Sequence, residues 1–538
     1  MMHRLKPWLL AILVGILIGF SEPPFHTGYL ALVAFIPFFL LFENVTSYKK
    51  AFLYSYLMVA VFHLIPCYWL PLTRDFYLAL VAALFLLVNP VLYFIPVALW
   101  LFVKRRAGFR WSLFAFPWIW VSFEYFRSIT ELAGPIFTLG YTQTYSLDII
   151  QIASIFGVYG ISFWILSINV LLYVLLSNVF TKKWNLLSVH SGITICGVIV
   201  IFFAPKFYGN WILQSSDVHK NEGTSPVRIA IIQPNIDPYV KWKSPAEQQL
   251  NLLQTMTAEA CREPVDLVVW PETAIPRYIF YSPEDLSFLN QIRHEVDSLR
   301  INLFTGTLDV MYFDPFLPVP KSAKWNASGQ RYDIFNTALL LQPNHEEIQK
   351  HAKMILVPFA ERIPYAEQIL NVANLNFVRW NFGTVGLGAG TRQTIFSCTS
   401  RDSLPLRFST VICFESIFPQ LVSSFVRKGA QFIVILSNES WWGKTDGSFQ
   451  HCQLDILRAI ENRRWIVRCS NGGASCFIDP FGHILQLTPL DVATNIKCSI
   501  QPLDEITFYT KCGDWFAGIC IATSLIIVLI AFVYRFKN

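Results

Sequence analysis

Hydrophobic residues follow two different patterns along this chain. From Pro7 to about Phe203 they form long, closely spaced runs with few charges inside them. Such runs are typical of helices that cross a bilayer, where backbone polar groups must be satisfied within the helix. We count seven, at residues 8–20, 29–42, 51–70, 76–103, 111–126, 152–176 and 188–203. Residues 1–210 are therefore predicted to form a transmembrane bundle of seven helices.

Between residues 226 and 504 the pattern changes to short apolar runs alternating with amphipathic segments. Strands are predicted at residues 228–232, 267–270, 303–307, 337–341, 410–413, 432–437, 466–469 and 474–478. Helices are predicted at residues 246–261, 283–299, 416–427 and 449–462. This alternation predicts a layered α/β domain. A final apolar run predicts a C-terminal transmembrane helix at residues 513–534, which brings the bundle to about eight helices.

Composition and charge narrow the class of protein. Hydrophobic residues make up 54% of the 538 residues and charged residues 14%, which is too apolar for a soluble enzyme. The net charge is +6, but no basic block interleaved with aromatic residues occurs in the α/β region, so nucleic acid is not an expected partner. The eleven cysteines include no C-x-x-C pair, so their spacing indicates neither a zinc site nor a redox motif.

The loop charges predict an orientation in the membrane. One set of alternate loops holds Arg4, Lys6, Lys49, Lys50, Lys104, Arg105, Arg106, Arg110, Lys182 and Lys183. The other set holds Arg74 and Arg127. Because cytoplasmic loops accumulate Lys and Arg, both termini are predicted to be cytoplasmic, with the α/β domain on the outer face of the cytoplasmic membrane.

Few ionisable residues lie within the apolar runs. His63 is one, and Glu124 with Arg127 form an i, i+3 pair that predicts a structural ion pair. A transporter with an accessory domain would need more such residues in its spans. That class remains an alternative with little support from the sequence.

Three reactive side chains follow or precede apolar runs of the α/β domain. Cys413 ends the run RFSTVIC, Glu272 follows VDLVVWP, and Lys353 precedes MILVPF. A thiolate can attack an acyl carbonyl, a carboxylate can exchange protons, and an ammonium can hold the developing oxyanion. We expect the ammonium to lower the pKa of the thiol. Taken singly, each residue is also typical of a buried cysteine or a solvated strand end.

Together these motifs resemble the nitrilase superfamily. The motifs VVWPETAIP, K-x-x-LVPF-x-E and CFES follow the predicted membrane helices in the sequence. In this combination they resemble the membrane-embedded branch of the superfamily, the apolipoprotein N-acyltransferase family. The resemblance implies an α-β-β-α sandwich and a catalytic Glu272, Lys353 and Cys413. It also implies substrate-binding or supporting roles for seven further residues: Trp242, Asn336, Glu361, Phe414, Glu415, Asn438 and Trp441. The family segment GFPW reads AGPI here, so a role for its tryptophan does not carry over.

The resemblance implies an acyltransferase of lipoprotein maturation. A phospholipid would give its acyl chain to Cys413 as a thioester, and the N-terminal amine of an apolipoprotein diacylglyceryl-cysteine would receive it. Neither a metal nor a diffusible cofactor is implied, and a monomer is expected. A membrane-tethered amidase that uses water as acceptor is the alternative enzyme. A Cys-His pair, formed with His351 or His451, is the alternative chemistry.

Two aromatic loops leave one further question open. Residues 275–281 and 369–382 are apolar where a soluble enzyme would be polar. They predict either arms that enter the membrane interface or internal packing between the sandwich and the bundle.

Overall fold

The computed structural model describes residues 6–131, 134–180, 189–215, 226–278, 283–314, 316, 319–320, 322–326, 328–365 and 386–533. Loop charges at Arg4, Lys182 and Lys183, the 369–382 loop and residues 279–281 lie outside these ranges. The described part contains an apolar helical region, two β-sheets and a C-terminal helix.

α-Helices form most of the described residues up to Ser215. Their bounds are Pro7–Ser21, Ile36–Phe42, Tyr48–Cys67, Phe76–Leu92, Phe94–Ala107, Phe109–Ser128, Leu147–Ile150, Ala153–Phe180 and Val189–Ser215. The C-terminal pair is Phe508–Cys512 and Trp515–Val533. Shorter 3-10 turns occur at Gly28–Leu32, Leu70–Leu72, Pro135–Phe137 and Leu139–Gln143.

Five of the described helical stretches are long and apolar enough to cross a membrane. They are Tyr48–Cys67, Phe76–Ala107, Ala153–Asn178, Ile195–Ser215 and Trp515–Val533, while Pro7–Ser21 and Gly28–Phe42 are apolar but shorter. The stretch Phe76–Ala107 is interrupted at Tyr93, between Pro90 and Pro96, which have no N–H for the helical ladder. The count of seven crossings before the α/β domain stays a prediction.

The predicted ion pair between Glu124 and Arg127 is wrong. Arg127 donates to the hydroxyl of Tyr93 and, at 2.8 Å, to the carbonyl of Gly134. Glu124 accepts from the backbone N–H of Leu139 at 3.0 Å. Both side chains therefore bind the backbone of the loop after their own helix, and Arg127 also binds Tyr93. These partners compete with a direct pairing across one helical turn.

Two sheets build the α/β domain. The first contains β1 (Val227–Gln233), β2 (Leu267–Val269), β3 (Asn302–Tyr312), β4 (Lys324–Trp325), β5 (Arg331–Leu341), β6 (Gln349–Ala352) and β13 (Thr494–Ile500). Its order is β13-β1-β2-β3-β5-β4, with β6 also paired to β5. The second contains β7 (Phe396–Thr399), β8 (Pro405–Ile412), β9 (Phe432–Ser437), β10 (Trp465–Ser470), β11 (Cys476–Ile478) and β12 (Ile484–Leu485), in the order β12-β11-β10-β9-β8-β7.

The sheets pack face to face and a helical layer covers each outer face. Ile231, Val269, Val434 and Val467 belong to one buried cluster between the sheets. Helices Ala246–Ala260 and Pro283–Leu299 pack on the first sheet, and Pro419–Arg427 and Gly447–Asn462 on the second. This arrangement confirms the predicted α-β-β-α sandwich. The core on the outer face of the second sheet is continuous with that of the membrane helices.

Polar contacts also join the sandwich to the helical region. The hydroxyl of Tyr141 donates to the carbonyl of Ile417 at 3.1 Å, and the N–H of Val158 donates to Glu461 at 3.0 Å. Gly157 has φ +65°, and a Cβ there would lie 2.5 Å from the ring of Tyr509. A glycine at this kink therefore lets the helical region and the C-terminal segment approach closely.

Candidate active site

The candidate nucleophile lies at a sharp turn at the end of a buried strand. Strand β8 ends at Ile412, and a 3-10 turn, Cys413–Ile417, follows at once. Cys413 has φ +51°, a left-handed conformation that is unfavourable for a residue with a Cβ. Strained backbone of this kind is concentrated at functional sites. The turn places Cys413 beside the end of β9, because Ile412 pairs with Leu436.

The candidate base lies at the carboxyl end of β2 in the other sheet. Glu272 follows this buried strand by three residues and is itself buried. Its Oε1 accepts from Nδ2 of Asn336 in β5 at 2.7 Å. A Cβ on Gly306 in β3 would lie 2.8 Å from the Cα of Glu272, so only glycine lets this loop rest against the strand. Sequence analysis missed Gly306.

The candidate oxyanion cation lies between two carboxylates. Lys353 directly follows β6 and is 0% exposed. Its Nζ lies 2.8 Å from Oε1 of Glu361 and 3.4 Å from Oε1 of Glu272. Its backbone N–H donates to the carbonyl of Asn336 at 2.8 Å. Glu361 also accepts from the N–H of Val357 at 2.8 Å, which fixes the carboxylate that holds the lysine.

These three groups act on one another through charge. Burial raises the pKa of the Cys413 thiol to about 12; Glu272 adds to this increase and Lys353 opposes it. Lys353 lowers the pKa of the thiol as expected, but the net shift is upward, because removing the thiolate from water outweighs one nearby ammonium. Burial alone would lower the pKa of Lys353, but Glu361 and Glu272 raise it above its ordinary value. At neutral pH the site holds a protonated thiol and a charged lysine.

Glu415 connects the turn of the nucleophile to the segment that carries the lysine. Its Oε2 accepts from the N–H of Ile412 at 2.7 Å. Its Oε1 accepts from the N–H groups of Met354 at 2.6 Å and Ile355 at 3.0 Å. Burial raises the pKa of Glu415 to about 7, although these backbone donors oppose the shift. Glu415 thus holds Cys413 and Lys353 in register through the backbone on either side.

The remaining predicted residues lie around this centre in different ways. The ring of Phe414 packs on Phe418, with 5.3 Å between the centroids. Asn438 accepts from Nδ2 of Asn471 at 3.1 Å. The ring of Trp441 lies 5.1 Å from that of Tyr239.

Trp242 differs from these because its side chain faces outward. The residue is 43% exposed and follows Lys241 in the loop before helix Ala246–Ala260. Among the described residues, no hydrogen bond or ring contact joins the Trp242 side chain to Glu272, Lys353 or Cys413. A substrate-binding role for Trp242 stays a prediction.

The two histidines of the alternative chemistry have other surroundings. Nδ1 of His451 lies 2.8 Å from Glu439, and its Nε2 lies 3.0 Å from the hydroxyl of Ser416. Burial would raise the pKa of Glu439, but Arg468 and His451 lower it to about 2. His351 is buried, with its ring 5.4 Å from that of Phe425. Neither histidine forms a pair with Cys413 in the part of the chain that the structure describes.

Lys241 is a second buried lysine near the candidate base, and sequence analysis missed it. It is 1% exposed, and its Nζ lies 3.2 Å from Oγ1 of Thr273, the residue after Glu272. Burial lowers the pKa of Lys241 to about 8, and the charge of Glu272 opposes this shift. The only signal in the sequence is its place beside Trp242 in KWK.

A groove lies beside this centre, against the helical region. Its cavity of about 350 Å³ lies between the segment after helix Phe109–Ser128 and the segment after Lys353. Phe414, the neighbour of the nucleophile, lines one side. The wall is largely apolar and includes Ile129, Met354, Ile355, Leu356 and Phe418, with Glu131 and Arg362 as charged members.

The start of the first aromatic loop lies inside the α/β domain. Ile275 is buried and forms a bridge with Thr307 of β3, so the start of the first loop packs internally. Residues 279–281 and 369–382 lie outside the described residues.

Within the described residues, His, Cys, Asp and Glu form no group of three or more that could hold a metal ion.

Two family models match the chain in separate regions. Residues 14–171 match the apolipoprotein N-acyltransferase N-terminal domain. Residues 228–501 match the carbon-nitrogen hydrolase family. The second match covers the α-β-β-α sandwich with Glu272, Lys353 and Cys413.

Curated relatives are similar over nearly the whole length. An apolipoprotein N-acyltransferase of Chlorobaculum tepidum is 34% identical over 540 residues, covering 98% of this chain and 97% of the relative. One of Geobacter metallireducens is 29% identical over 534 residues, covering 98% and 95%. Among solved structures, Saccharomyces cerevisiae Nit3, a member of the nitrilase superfamily, is 18% identical, with a TM-score of 0.36, and the match covers 52% of this chain and 90% of Nit3.

Proposed function

The chain belongs to the apolipoprotein N-acyltransferase family and acts in lipoprotein maturation, and from this premise we propose that it transfers a fatty acyl chain through a thioester on Cys413. The donor is a phospholipid, and the acceptor is the N-terminal amine of an apolipoprotein diacylglyceryl-cysteine. The observation that carries the proposal is the contact of Lys353 with both Glu361 and Glu272, beside a strained cysteine.

The first half-reaction forms the thioester. Glu272 takes the proton of the Cys413 thiol, and the sulfur attacks the ester carbonyl of the phospholipid. Lys353 and the backbone N–H of Phe414 hold the oxyanion, and each donor of this kind is typically worth ~3 kcal/mol. Collapse of the intermediate breaks the ester bond. Glu272 returns the proton to the leaving alcohol, which departs as a lysophospholipid.

The second half-reaction forms the amide. The α-amine of the acceptor attacks the thioester carbonyl, and Glu272 takes a proton from the amine. The oxyanion again lies against Lys353, and the sulfur leaves and recovers a proton from Glu272. The raised pKa of the thiol in the resting site supports this scheme, because a buried thiol needs a base within reach to become nucleophilic.

The groove beside Phe414 supports a lipid donor. Its largely apolar wall suits an acyl chain, and it begins next to the end of helix Phe109–Ser128, which contains the predicted span 111–126. Glu131 and Arg362 would lie near the polar part of the donor. The groove therefore favours a substrate that approaches from the bilayer rather than from water.

The protein is a multi-pass membrane protein, and we assign its catalytic domain to the outer face of the cytoplasmic membrane. The loop charges support cytoplasmic termini, because Lys104 to Arg106 and Arg110 fall at one side of the bundle. Reporter fusions after Asn210 should read as outside, and fusions after Lys183 as inside. The reverse readings would place the active site in the cytoplasm and contradict the assignment.

Product analysis tests the function itself. Purified protein in phospholipid vesicles with a diacylglyceryl-cysteine peptide should release one lysophospholipid for each triacylated peptide formed. Cys413→Ala should form neither product while still inserting in the membrane. A protein that released free fatty acid or ammonia and left the peptide unchanged would instead be the tethered hydrolase.

A further inference from the structure

Lys241 has no part in the reaction scheme above, yet it is placed where it can influence the base. The loop before helix Ala246–Ala260 carries it to the end of β2, and its Nζ reaches 3.2 Å from Oγ1 of Thr273. It is 1% exposed, although buried lysines are rare unless something compensates their charge. Among the described residues Thr273 is the recorded hydrogen-bond partner of this ammonium.

The charges of the site explain why a second cation belongs here. Glu272 is a buried carboxylate and Glu361 a partly buried one, and Lys353 supplies only one positive charge between them. While Cys413 is a thiol, these groups leave one negative charge in excess. Lys241 restores neutrality, and its charge interacts with that of Glu272.

Each neighbouring element contributes a group that faces Glu272. Lys353 comes from the end of β6, Cys413 from the turn after β8, and the amide of Asn336 from β5. Lys353 is held more closely by Glu361, at 2.8 Å, than by Glu272, at 3.4 Å. Glu272 therefore shares its nearest cation, Lys353, with Glu361. Lys241 is a second cation near Glu272, and Glu361 does not hold it.

We propose that Lys241 is a positioning residue for the general base: it holds Thr273 beside Glu272 and supplies the second positive charge that the carboxylates of the site need. This inference rests on the proposed function. Without the ammonium, the uncompensated negative charge around Glu272 would favour a neutral carboxyl group, which cannot accept a proton from the thiol or the amine. Lys241 itself exchanges no proton with the substrate.

The pH dependence of thioester formation tests the proposal. Full-length protein in detergent is mixed with phospholipid alone, and acylation of Cys413 is followed by quenched mass spectrometry from pH 5 to pH 9. In Lys241→Gln the acidic limb of the rate should move to higher pH by about one unit or more, with a rate at pH 6 lower by ~10-fold or more. Lys241→Arg should keep the acidic limb of the wild type, because arginine stays charged.

Lys243→Gln is the matched control, because this lysine is exposed and only two residues away. It should keep the wild-type rate and limb. If Lys241→Gln does not purify as folded protein, Lys241→Met carries the same expectation, since it keeps the aliphatic stem and loses only the ammonium. If the folded Lys241 variant keeps the wild-type acidic limb, whether or not its rate falls uniformly at all pH values, the proposal is overturned. Failure of the wild type to acylate Cys413 would instead overturn the proposed function.

Discussion

Replacing Lys353 by methionine separates its role in chemistry from its role in stability. Methionine keeps most of the side-chain volume but removes the charge that lies 2.8 Å from Glu361 and 3.4 Å from Glu272. Loss of one partner from a buried ion pair typically costs about 3 to 5 kcal/mol, because the remaining carboxylate is left uncompensated. Loss of an oxyanion donor in a water-poor site should lower turnover by ~10²-fold or more.

A double variant and a surface control distinguish the two effects. Lys353→Met/Glu361→Gln removes one uncompensated carboxylate, so thermal stability in detergent should recover in part while turnover stays low. Lys350→Met, in β6 three residues before Lys353, is the matched control; its pair with Asp309 at 3.0 Å is partly exposed and should be worth about 0 to 1 kcal/mol. Lys353→Arg should also lose turnover, because a planar guanidinium does not replace a compact ammonium.

The measurements are turnover with phospholipid and diacylglyceryl-cysteine peptide, and the unfolding midpoint of each variant. We expect stability to recover in part in the double variant while turnover stays low. Full turnover in Lys353→Met, or recovery of turnover together with stability in the double variant, would refute the assignment of Lys353 as the oxyanion cation.

Further predictions concern the two steps and the thiol. Glu361→Gln should let some thioester accumulate on Cys413 while slowing the transfer of the acyl group to the amine. Intact mass with and without peptide measures both effects. Transfer at the wild-type rate would show that Glu361 is an ordinary loop carboxylate. Iodoacetamide should label Cys413 at a rate that still rises between pH 8 and pH 9, because burial raises its pKa to about 12 and the thiolate fraction grows with pH; a plateau below pH 8 would contradict this. Exposed Cys512 provides the internal reference for labelling.

Strand ends are the part of the site that sequence could predict. Glu272 and Cys413 follow apolar runs that form β2 and β8. The apolar run MILVPF after Lys353 is not a strand; Lys353 instead follows β6, which was not among the predicted strands. Helix Pro283–Leu299 and strand Phe432–Ser437 have the predicted bounds, because their periodicity and flanking residues agree. The α-β-β-α sandwich was predicted from the family resemblance, because periodicity alone predicts only a layered α/β domain.

Properties that depend on distant neighbours could not be predicted in the same way. The i, i+3 spacing of Glu124 and Arg127 says nothing of the loop that attracts both side chains instead. The direction of the pKa shift of Cys413 depends on burial, which outweighs the nearby ammonium of Lys353. Lys241 comes from a separate loop and contacts Thr273, the residue after the base, so only the fold reveals their proximity.

The most direct test of the account is the site of covalent attachment in the absence of acceptor. Protein incubated with phospholipid of one defined acyl chain is quenched in acid, digested and analysed by mass spectrometry. The account predicts one acyl group on the peptide that carries Cys413, removed by neutral hydroxylamine and transferred when diacylglyceryl-cysteine peptide is added. An acyl group on another cysteine, or triacylated peptide formed by Cys413→Ala, would contradict it.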